Sequence, residues 1–164
     1  MKKRFVYIIA ALFLSLSFIA GCNNEVEHVV EYYTSVDEHG KEVKTPKLVY
    51  YYKGGDSTNC REVQYFSDGA IKMEGHHVDG VRQGVWTAWY KDGKLWSRGS
   101  FKDGLSDGTR RVYHSNGQLY YQGEYEAGNR VGEWIFYDSL GKEIKRTQYY
   151  IASPKLYLWL LTKE

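Results

Sequence analysis

From Arg61 onward the chain repeats itself every 24 residues without a gap. The units begin "REVQYFSDGAIKMEG" at Arg61, "VWTAWYKDGKLWSRG" at Val85, "TRRVYHSNGQLYYQG" at Thr109 and "EWIFYDSLGKEIKRT" at Glu133. Gly69, Gly93, Gly117 and Gly141 share one column, Gly75, Gly99 and Gly123 a second. Gly80, Gly104 and Gly128 make a third, and Gly84, Gly108 and Gly132 a fourth. Tyr65, Trp89, Tyr113 and Tyr137 keep an aromatic column. A fixed period of this size means stacked supersecondary units, each burying its apolar surface against its neighbours.

The residue types say what the unit is. Asp68-Gly69, Asp92-Gly93 and Asn116-Gly117 are hairpin signals, because glycine and the Asn or Asp before it tolerate positive φ. Runs of Tyr, Trp, Phe and Val on either side suit strands. Each repeat is therefore expected to be a hairpin, roughly Val85–Tyr90, a turn, Leu95–Phe101, then a looser turn carrying Gly104 and Gly108. Leu95, Ser97, Gly99 and Phe101 should share a face, with Trp96, Arg98 and Ser100 solvated opposite. Gly99 and its equivalents leave room for a neighbouring aromatic to lie across the backbone. Trp86 and Trp89 fall on opposite faces of a regular strand. Either the strand begins after Trp86, or a bulge intervenes.

The N-terminus is of another kind. Lys2-Lys3-Arg4 precedes the apolar run "FVYIIAALFLSLSFIA", which is short for a membrane span. The "IAGC" at Ile19–Cys22 resembles a bacterial lipobox, which implies a signal peptide over residues 1–21, cleavage before Cys22 and acylation of its thiol. The lipid bilayer is then the first expected partner, reached through Cys22. The cell envelope is the expected location, the outer membrane if the source has two. Three of the 22 basic residues and none of the 20 acidic ones lie in the removed segment, so the remainder is close to neutral. That balance gives no electrostatic reason to expect nucleic-acid binding. With Cys22 acylated, Cys60 has no intrachain partner, and packing must hold the fold.

Residues 22–28 read as a tether and 29–60 as degenerate hairpins capping the array, since end units of such arrays must cover an apolar face. Gly40-Lys41-Glu42-Val43 echoes Gly141-Lys142-Glu143-Ile144. Repeats occupy 61–150, the last one partial. Residues 151–164 form a C-terminal cap, either a short helix started by Ser153-Pro154 or a last strand. The expected fold is all-β: an open, elongated antiparallel sheet of tandem hairpins.

Catalytic chemistry finds little support. His76 and His77, near Asp79, are adjacent on a strand and point to opposite faces, so they read as solvated residues rather than a metal pair. His28 and His114 are isolated, Cys60 reads as a small half-buried residue, and Glu124 and Glu126 as a charged strand face. No metal, cofactor or assembled nucleophile is expected.

Tyr-x-x-Asp/Asn-Gly, then x-Gly, then Gly-x-x-x-Gly-x-Trp resembles the MORN repeat variant found in tandem in bacterial proteins, a group often labelled YwqK-type antitoxins. The likeness covers about residues 61–150. Glu62 and Arg110 depart from it in the column of Trp86 and Trp134, and Leu140-Gly141 and Thr147 depart in the last unit. The resemblance implies a sheet used for binding rather than catalysis. Trp96, Tyr120, Tyr90 and Phe66 stand at positions expected to face outward, where aromatics stack on sugar rings or anchor a protein partner. Two functions follow: a membrane-tethered, monomeric scaffold for an envelope protein or glycan, or an immunity protein neutralising an envelope-acting toxin. A small hydrolase is a distant third.

Overall fold

The computed structural model describes residues 25–150. The proposed signal peptide, Cys22 and the C-terminal cap lie outside the described residues. Within them the chain forms ten strands and no helix. The first five are β1 (Val26–Val36), β2 (Glu42–Tyr52), β3 (Cys60–Tyr65), β4 (Ile71–Val78) and β5 (Val81–Trp89). The rest are β6 (Leu95–Lys102), β7 (Leu105–Tyr113), β8 (Leu119–Glu126), β9 (Asn129–Tyr137) and β10 (Glu143–Tyr149). They form one sheet in sequence order. Every neighbouring pair is antiparallel. This is the open sheet of consecutive hairpins that the period implies. Strand β1 starts at Val26, inside the segment read as a tether.

The two edges of the sheet turn by different means. Along one edge the glycine of each Asp/Asn/Leu-Gly pair donates its N–H three residues back: Gly69 to Phe66 O (3.0 Å), Gly93 to Tyr90 O (3.0 Å), Gly117 to His114 O (2.8 Å) and Gly141 to Asp138 O (3.0 Å). Only the glycine of each pair has positive φ. Along the other edge Asp79-Gly80, Asp103-Gly104 and Ala127-Gly128 have positive φ at both residues, the signature of two-residue type I′ hairpins. The tight turns are thus at the edge expected to be looser. Gly108 is not part of its turn but lies inside β7, as Gly84 and Gly132 lie inside β5 and β9. All three have positive φ where the pairing slips.

Strand β5 runs through both Trp86 and Trp89, and the register shifts between Ala88 and Trp89. The extra residue lies on β6 and not between the two tryptophans, and the strand begins before Trp86, so neither expected alternative holds: Trp86 and Trp89 alternate in facing as on a regular strand. Ala88 pairs with Ser97 and Trp89 with Leu95, which leaves Trp96 as the extra residue of β6. The same slip leaves Lys72, Tyr120 and Ile144 unopposed in the other repeats. One bulge per hairpin is a periodic feature of the array.

Cross-repeat hydrogen bonds tie hairpin to hairpin at both edges. Tyr90 Oη donates to Tyr113 O (2.7 Å), and His114 Nε2 bonds Tyr137 O (3.0 Å). Opposite, Gly80, Gly104 and Gly128 donate to Thr58 O (2.9 Å), Arg82 O (3.0 Å) and Ser106 O (2.8 Å). The first hairpin instead curls over the sheet. Tyr33 Oη reaches past β2 to Tyr65 O (3.2 Å), and Glu25 pairs with Arg61 (3.9 Å). Both contacts skip β2, and beneath them Val49 and Val63 are almost fully buried. The repeated turn is visible here too: Asp37 N bonds Lys41 O as Asp138 N bonds Lys142 O, both at 2.9 Å.

Candidate binding faces

Side-chain alternation puts Glu62, Gly75, Trp86, Gly99, Arg110, Gly123, Trp134 and Thr147 in one row across β3 to β10. Large side chains and glycines alternate for a steric reason. A Cβ at Gly75 would overlap the Trp86 indole, and one at Gly123 would overlap that of Trp134. At Gly99 the neighbour is Arg110, whose Nε would lie 2.9 Å from the added carbon. The clearance expected from the glycine column is real, and in one repeat a guanidinium uses it. Trp86 and Trp134 are the buried centres of this face, 4% and 0% exposed.

Beside that row stands another with the same period: His77, Phe101, Tyr125 and Tyr149. The two rows interlock. His77 and Phe101 flank Trp86 edge-on at 5.3 and 6.0 Å, and Tyr125 and Tyr149 flank Trp134 at 5.1 and 5.9 Å. Arginines complete the ladder. Arg82 lies 4.1 Å over Trp86 and Arg130 4.4 Å over Trp134. Arg110 stands 5.4 Å from both Phe101 and Tyr125. Its Nη2 bonds Ser106 Oγ at 3.2 Å, and Ser106 is the repeat equivalent of Arg82 and Arg130. Among the described residues no second sheet or helix covers this face. Stacked rings and guanidinium groups, each attractive to the other's π-face, do that work instead.

The four aromatics nominated from sequence separate into two pairs. Trp96 and Tyr120 stand on the bulges, 44% and 41% exposed. Phe66 and Tyr90 are half-buried, and Tyr90 is committed to its bond with Tyr113. The repeat positions Tyr65, Trp89, Tyr113 and Tyr137 are half-buried at strand ends beside the turns made by Gly69, Gly93, Gly117 and Gly141. Trp96 borders a groove of about 160 Å³ whose wall also includes Arg82, Trp86, Phe101 and Arg110.

Pairing of β3 with β4 gathers three groups that sequence spacing did not. Cys60 Sγ lies 3.8 Å from His77 Nδ1, and His77 Nε2 lies 3.7 Å from Glu62 Oε2. His77 is thus half-buried and partnered, not solvated, while His76 is exposed. The only sequence signal was parity: Cys60, Glu62 and His77 lie on one face once the register is known. The order resembles a thiol, base and orienting acid, but the electrostatics oppose activation. Burial, then the charges of Glu62 and Asp56, push the Cys60 thiol up. Burial pulls His77 down, against the opposing pull of Glu62. A neutral thiol beside a neutral imidazole is a poor nucleophile. Among the described residues no group of His, Cys, Asp and Glu is placed to hold a metal ion.

The profile of the MORN repeat variant family matches residues 82–103 and 106–127. No curated protein matches the chain. A chain of a solved structure titled "Crystal structure of GtfA/B complex" aligns at 15% identity, over 80% of this chain and 27% of that one. Its TM-score of 0.37 is too low to equate the folds. The two matched segments run from β5 to the turn after β8, so these middle hairpins of the array match two tandem MORN repeat variant units.

Proposed function

We propose that this protein is a non-catalytic binding scaffold of the cell envelope, tethered to the bilayer through acylated Cys22, whose hairpin repeats present a face to an envelope partner. The observation that carries the reading is the pair Trp96 and Tyr120. They are large, exposed and repeated on successive hairpins, and a bulge lifts each out of the regular pairing. Aromatics so placed offer much contact area at little entropic cost, as binding hot spots do. The lipobox supplies the anchoring half of the reading. The immunity-protein alternative uses the same scaffold and differs only in what it captures.

Affinity capture from detergent-solubilised membranes tests the binding half. Trp96→Ala with Tyr120→Ala should weaken capture by about 2 kcal/mol or more while the far-UV spectrum stays that of a β-sheet. Undiminished capture by the folded double variant would remove these residues from the site. Cys22→Ser should abolish lipid labelling and membrane retention, and unchanged fractionation would end the anchoring half.

A further inference from the structure

The ladder face carries more positive charge than its own architecture neutralises. The ion pairs of the described residues engage Arg61 and Arg146, but none of Arg82, Arg110 and Arg130. Each of the three lies over rings at cation–π distance, and a ring face satisfies none of the donors on its N–H edge. Part of that edge is used: Arg110 bonds Ser106, and Arg130 Nη1 bonds Tyr149 Oη at 3.2 Å. No carboxylate of the described residues uses it. Trp86 Nε1 and Arg110 Nε, whose residues wall the groove beside Trp96, are buried with no hydrogen-bond partner.

The three groups also lie in line. Arg82 and Arg130 are equivalent by the repeat, and the bond to Ser106 draws the Arg110 guanidinium to the equivalent place between them. They stand on β5, β7 and β9, so neighbours are two strand spacings apart, about 9.5 Å, with Phe101 and Tyr125 in the gaps. A partner that fits must bring anionic groups at that interval and flat, weakly apolar surfaces between them. A linear glycan in which a uronic acid alternates with a neutral or amino sugar does both. Its carboxylates recur once per disaccharide, about the same distance apart, and its pyranose faces stack on aromatic rings.

We propose that the ladder face binds an acidic glycan of alternating uronate repeat, its carboxylates on Arg82, Arg110 and Arg130 and its rings against Phe101, Tyr125 and the exposed Trp96. This rests on the scaffold reading and names the partner's chemistry. The glycan crosses the strands, so each further hairpin adds one more disaccharide subsite.

Calorimetric titration of the full chain in neutral detergent checks it, using a hexasaccharide of alternating glucuronic acid and N-acetylglucosamine and the same oligosaccharide with its carboxyls reduced. The acidic form should bind, weaken with added salt, and lose about tenfold or more on Arg82→Gln or Arg130→Gln, the loss of one charged hydrogen bond. Arg130→Lys keeps the charge but not the fork and should fall between, which covers the case of a Gln variant that does not fold. Equal affinity for the reduced oligosaccharide, no binding of either, or an arginine-dependent preference for phosphatidylglycerol vesicles would overturn the proposal. If capture from membranes still depends on Trp96 and Tyr120 while the oligosaccharide fails, the scaffold stands and its glycan partner does not.

Discussion

Trp134 and Arg110 occupy the same place in consecutive repeats, each leaning over the glycine of the strand before it, and they hold that place by different physics. Trp134 is fully buried, packs against Tyr121, Tyr125 and Tyr149, and donates Nε1–H to Glu124 O at 3.2 Å. Arg110 makes fewer contacts, shares Phe101 and Tyr125 by its cation, bonds Ser106, and leaves Nε buried and unpaired. The indole serves packing, whereas the guanidinium sacrifices some packing and keeps a charge at the centre of the face. A repeat array can therefore vary one column between a packed ring and a charge without changing its backbone.

The largest separation between the two should come from truncation. Trp134→Ala removes a fully buried aromatic and should cost about 3–5 kcal/mol in urea unfolding. Arg110→Ala removes a partly exposed side chain and its single hydroxyl bond, and should cost about half as much or less. Equal losses would mean that the guanidinium packs as an indole does, which would erase the contrast.

The glycines beneath them sharpen it. Gly123→Ala drives a methyl group into the rigid Trp134 ring and should destabilise by about 1–3 kcal/mol or more, as overpacking does. Gly99→Ala meets the flexible Arg110 side chain, which can swing aside, so its melting temperature should fall distinctly less. Gly93→Ala serves as a control of another kind. Nothing lies within 4 Å of its would-be Cβ, so only its φ of 82° opposes the change. About 1–2 kcal/mol is expected, from left-handed backbone alone.

The smallest effect concerns the repeat in which Glu62 holds the same column. Burial depresses His77, so the unfolded chain binds its proton more readily than the folded one. Stability from this group is complete above the unfolded value near 6.5 and declines as pH falls through it toward the lower folded value. Its slope cannot exceed about 1.4 kcal/mol per pH unit. His77→Gln should flatten that part of the stability profile, and an unchanged slope would show that another group carries it.

How much of this was legible beforehand differs by feature. Glycine columns and aromatic runs disclosed the hairpins and the clearance under Trp86, because those depend on φ and on the presence or absence of Cβ at single residues. The sequence also marked Glu62 and Arg110 as departures in the Trp column. It misassigned the tight turns, since Asp-Gly pairs occur at both edges and only backbone pairing shows where both residues take positive φ. It left the facing of Trp86 and Trp89 open for the same reason: only the pairing shows that the extra residue sits on β6 and not between them. Half-buried Phe66 and Tyr90 were indistinguishable from exposed Trp96 and Tyr120 until the cross-repeat bonds were placed.

By itself, then, the sequence determined a period, and the period dictates an array of antiparallel hairpins whose chemistry repeats every second strand. Register across the sheet decided the rest. Cys60, Glu62 and His77 meet only because β3 pairs with β4 in one alignment, and Arg110 joins Arg82 and Arg130 only because its side chain reaches Ser106. Local residue preference acts within a few bonds along the chain. Which groups share a face and come within reach is a property of pairing between strands, and that exists only once the sheet has formed.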